Sequence, residues 1–123
     1  MKFEEIEIGT KLDTFVAEKL GWENIIEYTT YQGRLVGYHA AYGCRTMIPQ
    51  YSSKSEAATE VIQFINQTAM SVAINCHGST YSCQVEVGTS DADAYFVALA
   101  SDEPTLALAV CKSFFLYMEY INQ

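Results

Sequence analysis

Four cysteines, two histidines and an Asp-x-Asp pair are the groups in this sequence best suited to hold a metal or attack a substrate. Cys76-His77 with Cys83 invites a zinc site. A hairpin turning on His77-Gly78, however, pairs Cys76 with Ser79 and sets Cys83 opposite Val72. At the rise of a strand that is about 13 Å from Cys76. Neither a zinc–sulfur bond of about 2.3 Å nor a disulfide spans such a gap. Both cysteines therefore read as small core residues, all four as free thiols, and no metal or cofactor is expected. Nucleophilic catalysis needs a Ser or Cys beside a base that a third group orients. A small hydrolase using His39 and His77 with Asp91 and Asp93 is the enzyme reading. Against it, His77 falls in a tight turn and His39 packs near Ile26. No G-x-S-x-G, phosphate-loop or dinucleotide motif is present, and an isolated Asp-x-Asp in a loop reads as turn chemistry. The expectation is a protein without enzymatic activity.

Binding chemistry is better represented. Tyr31, Arg34 and Tyr38 share a strand face with Glu27, and Arg45 follows shortly after Cys44. Arg34 and Arg45 are two of only seven basic residues. A guanidinium beside aromatic rings can stack on a base and pair with a phosphate. Ser53 and Lys54 open a helix whose free N–H groups suit an anion. The plainer readings are a solvated strand face and a serine that caps its helix. The candidate ligand-binding set is Tyr31, Arg34, Tyr38, Arg45, Ser53 and Lys54, for a small anionic or nucleotide ligand.

At 123 residues the chain has the length of one domain, taken here as 1–123. Half its residues are hydrophobic and 18% charged, which suits a globular fold rather than disorder. The net charge of −8 argues against a nucleic-acid or anionic-membrane surface, because both require a positive field. The start lacks a basic segment followed by an apolar run, so no secretory signal is expected. The most apolar stretch, Leu106 to Met118, is broken by Lys112 and too short to span a bilayer. A reducing cytoplasm is the expected location.

Local patterns supply the elements that would position these groups. Thr10 to Asp13 has the form of a capping box, Leu12, Phe15, Val16 and Leu20 follow at helical spacing, and Gly21 supplies a stop. Asn24–Tyr31 and Arg34–Tyr42 read as a hairpin around Gln32-Gly33, with Glu27 opposite Tyr38 and Tyr28 over Gly37. Ser53 to Glu56 is a second capping box, with Ala58, Val61, Ile62 and Ile65 as the buried stripe behind it. Ala69–Cys76 and Ser79–Gly88 form the clearest hairpin. One face carries Met70, Val72, Ile74, Cys76, Tyr81, Cys83 and Val85, and the other is polar. A short strand, Tyr95–Leu99, precedes a helix opened by Ser101 to Pro104. That last helix is apolar almost all round. The surplus of Phe114, Phe115, Tyr117, Met118 and Ile121 predicts a homo-oligomer interface. The order α-β-β-α-β-β-β-α gives an α+β fold, an antiparallel sheet with helices packed on it.

Three segments carry a family resemblance. They are Val16-Ala17-Glu18-Lys19-Leu20-Gly21-Trp22, then Ile48-Pro49-Gln50-Tyr51-Ser52, and Asp102-Glu103-Pro104-Thr105-Leu106-Ala107-Leu108-Ala109-Val110-Cys111-Lys112. In this order the chain resembles the phage ABA sandwich domain family over most of residues 12–118. The chain departs from the pattern at about 23–47, where an extra hairpin is inserted. The resemblance implies a fold and a bacteriophage or prophage origin, and it brings no catalytic motif. Together these expectations describe a small phage-encoded accessory binding protein. One version is a counter-defence protein that sequesters a small nucleotide signal. Another inhibits a host protein through an acidic, tyrosine-rich surface.

Overall fold

A computed structural model describes residues 2–28, 33–88, 90 and 92–122. Among them the chain forms three α-helices and two three-stranded antiparallel sheets, an α+β fold. After a 3-10 turn at Phe3–Glu5 the order is α1 (Thr10–Lys19), β1 (Glu23–Tyr28), β2 (Arg34–Tyr38), β3 (Arg45–Met47), α2 (Ser55–Thr68), β4 (Ser71–His77), β5 (Thr80–Val87), β6 (Tyr95–Glu103) and α3 (Leu106–Ile121). The expected order of helices and strands is present. A short strand, β3, joins the first hairpin, so the strands divide into a sheet β1-β2-β3 and a sheet β4-β5-β6.

The apolar stripes of all three helices meet over the second sheet. Leu12, Val16 and Ala17 of α1, Ala58, Val61 and Ile65 of α2, and Val110, Phe114 and Tyr117 of α3 share one core with Cys83, Val85 and Ala98. Among the described residues the first sheet gives that core one buried side chain, Leu35, with half-buried Ile25 packed against it and Ile48 just beyond β3. The end of α1 follows from glycine's freedom at positive φ. Gly21 sits at φ 99°, Trp22 N–H returns to the Ala17 carbonyl at 3.0 Å, and Gly21 N–H bonds Glu18 at 3.2 Å.

The helix starts differ from the sequence reading. Gly9 and Lys54, with no side-chain cap, precede α1 and α2 in place of Thr10 and Ser53. Before α3, β6 runs on to Glu103, and the Thr105 hydroxyl caps the helix by accepting from Leu108 N–H at 3.1 Å.

Both hairpin registers also move. In the second, His77 pairs with Thr80 and Cys76 with Tyr81, so the turn is Gly78-Ser79. Gly78 takes the positive φ of 63° at the first turn position, the place glycine holds in a type II′ turn. A turn on His77-Gly78 would have asked the same of a histidine. The change in register is even, so the two faces keep their members. Cys83 now lies opposite Ile74, two residues from Cys76. That shortens their separation to about 7 Å along the strand. In the first hairpin Tyr28 pairs with Arg34 and Ile26 with Val36. This change is odd, so β1 turns over: Ile26 and Tyr28, not Ile25 and Glu27, share Arg34's face. Gly37 is covered by Ile25, Ile48 and the Glu23 carbonyl rather than by Tyr28.

The interface expected on α3 is corrected in the same way. Phe114, Phe115, Tyr117 and Met118 are buried within the chain itself, and only Ile121 of that set is exposed. The second sheet takes one side of α3, while α1, α2 and Phe3 take the rest, with Phe64 edge-on to Phe114 and Phe3 edge-on to Phe115. Each large side chain so buried contributes about 1.5–3 kcal/mol. Among the described residues no helix is long and apolar enough to cross a membrane.

Candidate ligand cleft around Arg34

Arg34 opens β2. It lines two neighbouring cavities. The smaller, of about 130 Å³, is completed by Gly9, Thr10, Asp13, Gly33, Leu35, Ile48, Gln50 and Ser53. The larger, of about 410 Å³, runs on past Pro49, Gln50 and Lys54 to Ala57, Glu56 and Glu60. The guanidinium donates through Nη2 to the Ile48 carbonyl at 3.2 Å, and among the described residues its buried Nε has no hydrogen-bond partner. A buried donor left unpaired costs about 1–3 kcal/mol, so this nitrogen is a place where an acceptor would be favoured.

Asp13 forms the other wall. It is only 6% exposed, and its carboxylate accepts the Ser52 backbone N–H at 2.7 Å. Burial pushes its pKa above the usual carboxylate value, while the Ser52 bonds and the Arg34 charge pull it partly back. Far from closing a capping box begun by Thr10, it ties α1 to the loop before α2. Its position three and four residues before Val16 and Ala17 places it on the apolar stripe. An acid on such a stripe is the sequence signal that would have revealed it.

Behind the larger cavity lies a polar and aromatic network. Glu60 accepts from both the Tyr42 and Tyr51 hydroxyls, the latter at 2.6 Å, and Trp22 Nε1 donates to the Tyr51 oxygen at 3.0 Å. The Trp22 ring packs against Tyr42 and His39 at centroid distances of 5.2 and 5.4 Å. Glu60 raises the Tyr42 pKa to about 12, and burial with Glu60 raises that of Tyr51 as well. His39 is held from both sides: the Ala41 N–H points to Nδ1 at 3.0 Å, which leaves Nε2 to donate to the Leu20 carbonyl at 2.9 Å.

Of the expected binding residues, Arg34 meets Ser53 in one cavity and Lys54 in the other. Tyr38 and Arg45 stand opposite each other on β2 and β3, both exposed, and line neither cavity. Four residues of extended strand separate Tyr38 from Arg34, or about 13 Å. Tyr31 lies outside the described residues, as does Asp91. His77 precedes the β4–β5 turn on the other sheet, Asp93 accepts from Ser90 N–H at 2.8 Å, and His39 serves the backbone, so the groups of the hydrolase reading are dispersed. Thr10, Asp13 and Gln50 join the cleft without having been singled out. All four cysteines are free thiols, with Cys83 and Cys111 buried and their pKa values raised by that burial. Among the described residues no cluster of three or more His, Cys, Asp or Glu side chains is arranged to hold a metal ion. Compared with protein-family models, with curated proteins and with solved structures, the chain matches none.

Proposed function

We propose that this chain is a non-enzymatic, phage-encoded accessory protein that captures a small ligand through an anionic group, in the cleft around Arg34. The observation that carries the reading is the buried, unpartnered Nε of Arg34 in a residue lining two adjoining cavities. The cation, the Ser53 and Thr10 hydroxyls and the Lys54 ammonium supply donors for an oxyanion. Of the two glutamates that line the larger cavity, Glu60 is occupied by two phenols. Asp13 holds its proton to higher pH than an ordinary carboxyl group, and in that form it repels an anion less. The larger cavity is in the lower part of the range of small-molecule sites, about 300–1,000 Å³. A nucleotide or cyclic nucleotide is the ligand class to try first. The phage origin rests on the three resembling segments and their order.

The test is a thermal-shift screen of inorganic phosphate, mononucleotides and cyclic dinucleotides, followed by titration of whatever stabilises the protein. Arg34→Ala should weaken that ligand more than tenfold, the loss of a charge-assisted contact of about 1.5–3 kcal/mol. Tyr38→Ala, which lies beyond the cleft, should bind like the parent. Unchanged affinity in Arg34→Ala overturns the proposal.

A further inference from the structure

The two sheets present four outer edges, and three of them carry features that discourage pairing with another strand. β1 has Glu23 and Glu27 and a register shift between Glu23 and Ile26. β3 is only three residues long and begins with Arg45. β6 breaks register twice against β5 and ends in Asp102, at φ 58°, and Glu103. Charge, shortness and bulges are the ordinary protections of an edge strand. β4 has none of them. Its seven residues, Ser-Val-Ala-Ile-Asn-Cys-His, pair with β5 in unbroken register and include no proline, lysine, arginine or carboxylate. From Ala73 to His77 every residue is exposed, Ile74 at 40%.

From this contrast we infer that β4 is the self-association edge: two copies join β4 to β4 antiparallel around a twofold axis at Ile74, making one six-stranded sheet. The face alternation fixes the register. Opposed residues of an antiparallel pair point to the same face, so a symmetric pairing must match positions of like parity. Centring on Ile74 satisfies that rule and uses all seven residues. Ile74 meets its own counterpart, Val72 meets Cys76, Ala73 meets Asn75, and Ser71 meets His77. The apolar face of one strand thus continues into that of the other, and Ile74 gains a neighbour that its own helices do not supply. Charge bears on where two copies can meet. Each copy carries −8, so two copies repel at most orientations. The uncharged β4 edge lets identical acidic chains approach without setting carboxylates against each other. An isologous contact of this kind closes as a dimer instead of growing into fibres.

Two measurements decide it. Light scattering on a sizing column, across the micromolar range, should give a dimer for the parent chain and a monomer for Ala73→Lys/Ile74→Lys, with unchanged circular dichroism. A parent chain that stays monomeric throughout, or a folded double variant that remains dimeric, overturns the inference. A second variant keeps the question answerable if the lysines impair folding. In a Cys44→Ser background, Val72→Cys should form a covalent dimer on mild oxidation by joining the introduced thiol to Cys76 of the other copy. Cys44→Ser alone should not. Equal crosslinking in the two proteins, or none in either, refutes the Ile74-centred register.

Discussion

The two sheets have the same number of strands and the same antiparallel order, yet they are held to the molecule by different forces. The second sheet lies under α3, and its inward residues Cys83, Val85, Ala98 and Ala100 are almost wholly buried. The first contributes Leu35 and little else. Ile26, Tyr28, Tyr38 and Met47 remain 39–48% exposed on it. Its ties to the body are polar and aromatic. His39 bonds the Leu20 carbonyl, and Tyr42 reaches Glu60 from the loop before β3. One sheet is packed and the other is moored. Apolar burial is insensitive to pH and tolerant of detail, whereas a hydrogen-bonded mooring depends on individual donors and on protonation. The moored sheet is also where the candidate cleft lies, at its junction with α1 and α2.

Substitutions should separate the two kinds of attachment. Phe114→Ala, in the helix over the packed sheet, should cost about 3–5 kcal/mol by chemical denaturation. A loss below about 1 kcal/mol would mean the packed side is not what holds the fold. Tyr51→Phe strikes the mooring network, since its hydroxyl accepts from the buried Trp22 N–H and donates to Glu60. Leaving that indole N–H unpaired should cost about 1–3 kcal/mol. An unchanged denaturation midpoint would remove the network from the account.

The pH dependence should come from the moored side. Tyr42 keeps its proton to about pH 12 in the folded protein against 10 in the unfolded chain. Between those values the folded state binds the extra proton, so this contribution is complete below pH 10 and lost as pH rises through about 12. Tyr42→Phe should flatten the alkaline fall in stability, and an identical alkaline profile would count against the Glu60 bond. Asp13 follows the same sign from a lower start. Its pKa is raised above 3.8, so its contribution declines as pH climbs from there to the folded value. Asp13→Asn should lack that decline while keeping an acceptor for Ser52 N–H, which the difference between the two pH–stability curves will reveal. Ile26→Ala, on the exposed face of the first sheet, should change stability by no more than about 0.5 kcal/mol. A larger loss would show the moored sheet to be packed after all.

The sequence alone determined what depends on near neighbours along the chain. Helical spacing in Leu12–Val16, in Ala58–Ile65 and in the last helix marks those elements, and alternation in β4 and β5 assigns their faces correctly. That assignment survived a turn misplaced by one residue, because the register error was even. The Gly21 stop was legible too, since only glycine enters that conformation cheaply. Tertiary structure decided the rest, for three physical reasons. The observed pairing of β1 with β2 differs by an odd number from the register that a turn at Gln32-Gly33 implies, and that exchanged which residues share Arg34's face. Whether an apolar helix is surrounded depends on which surfaces meet, so α3 found both its covers inside one chain. The cleft joins Asp13, Arg34 and Ser53, residues from three separate segments, and no local pattern records that they adjoin.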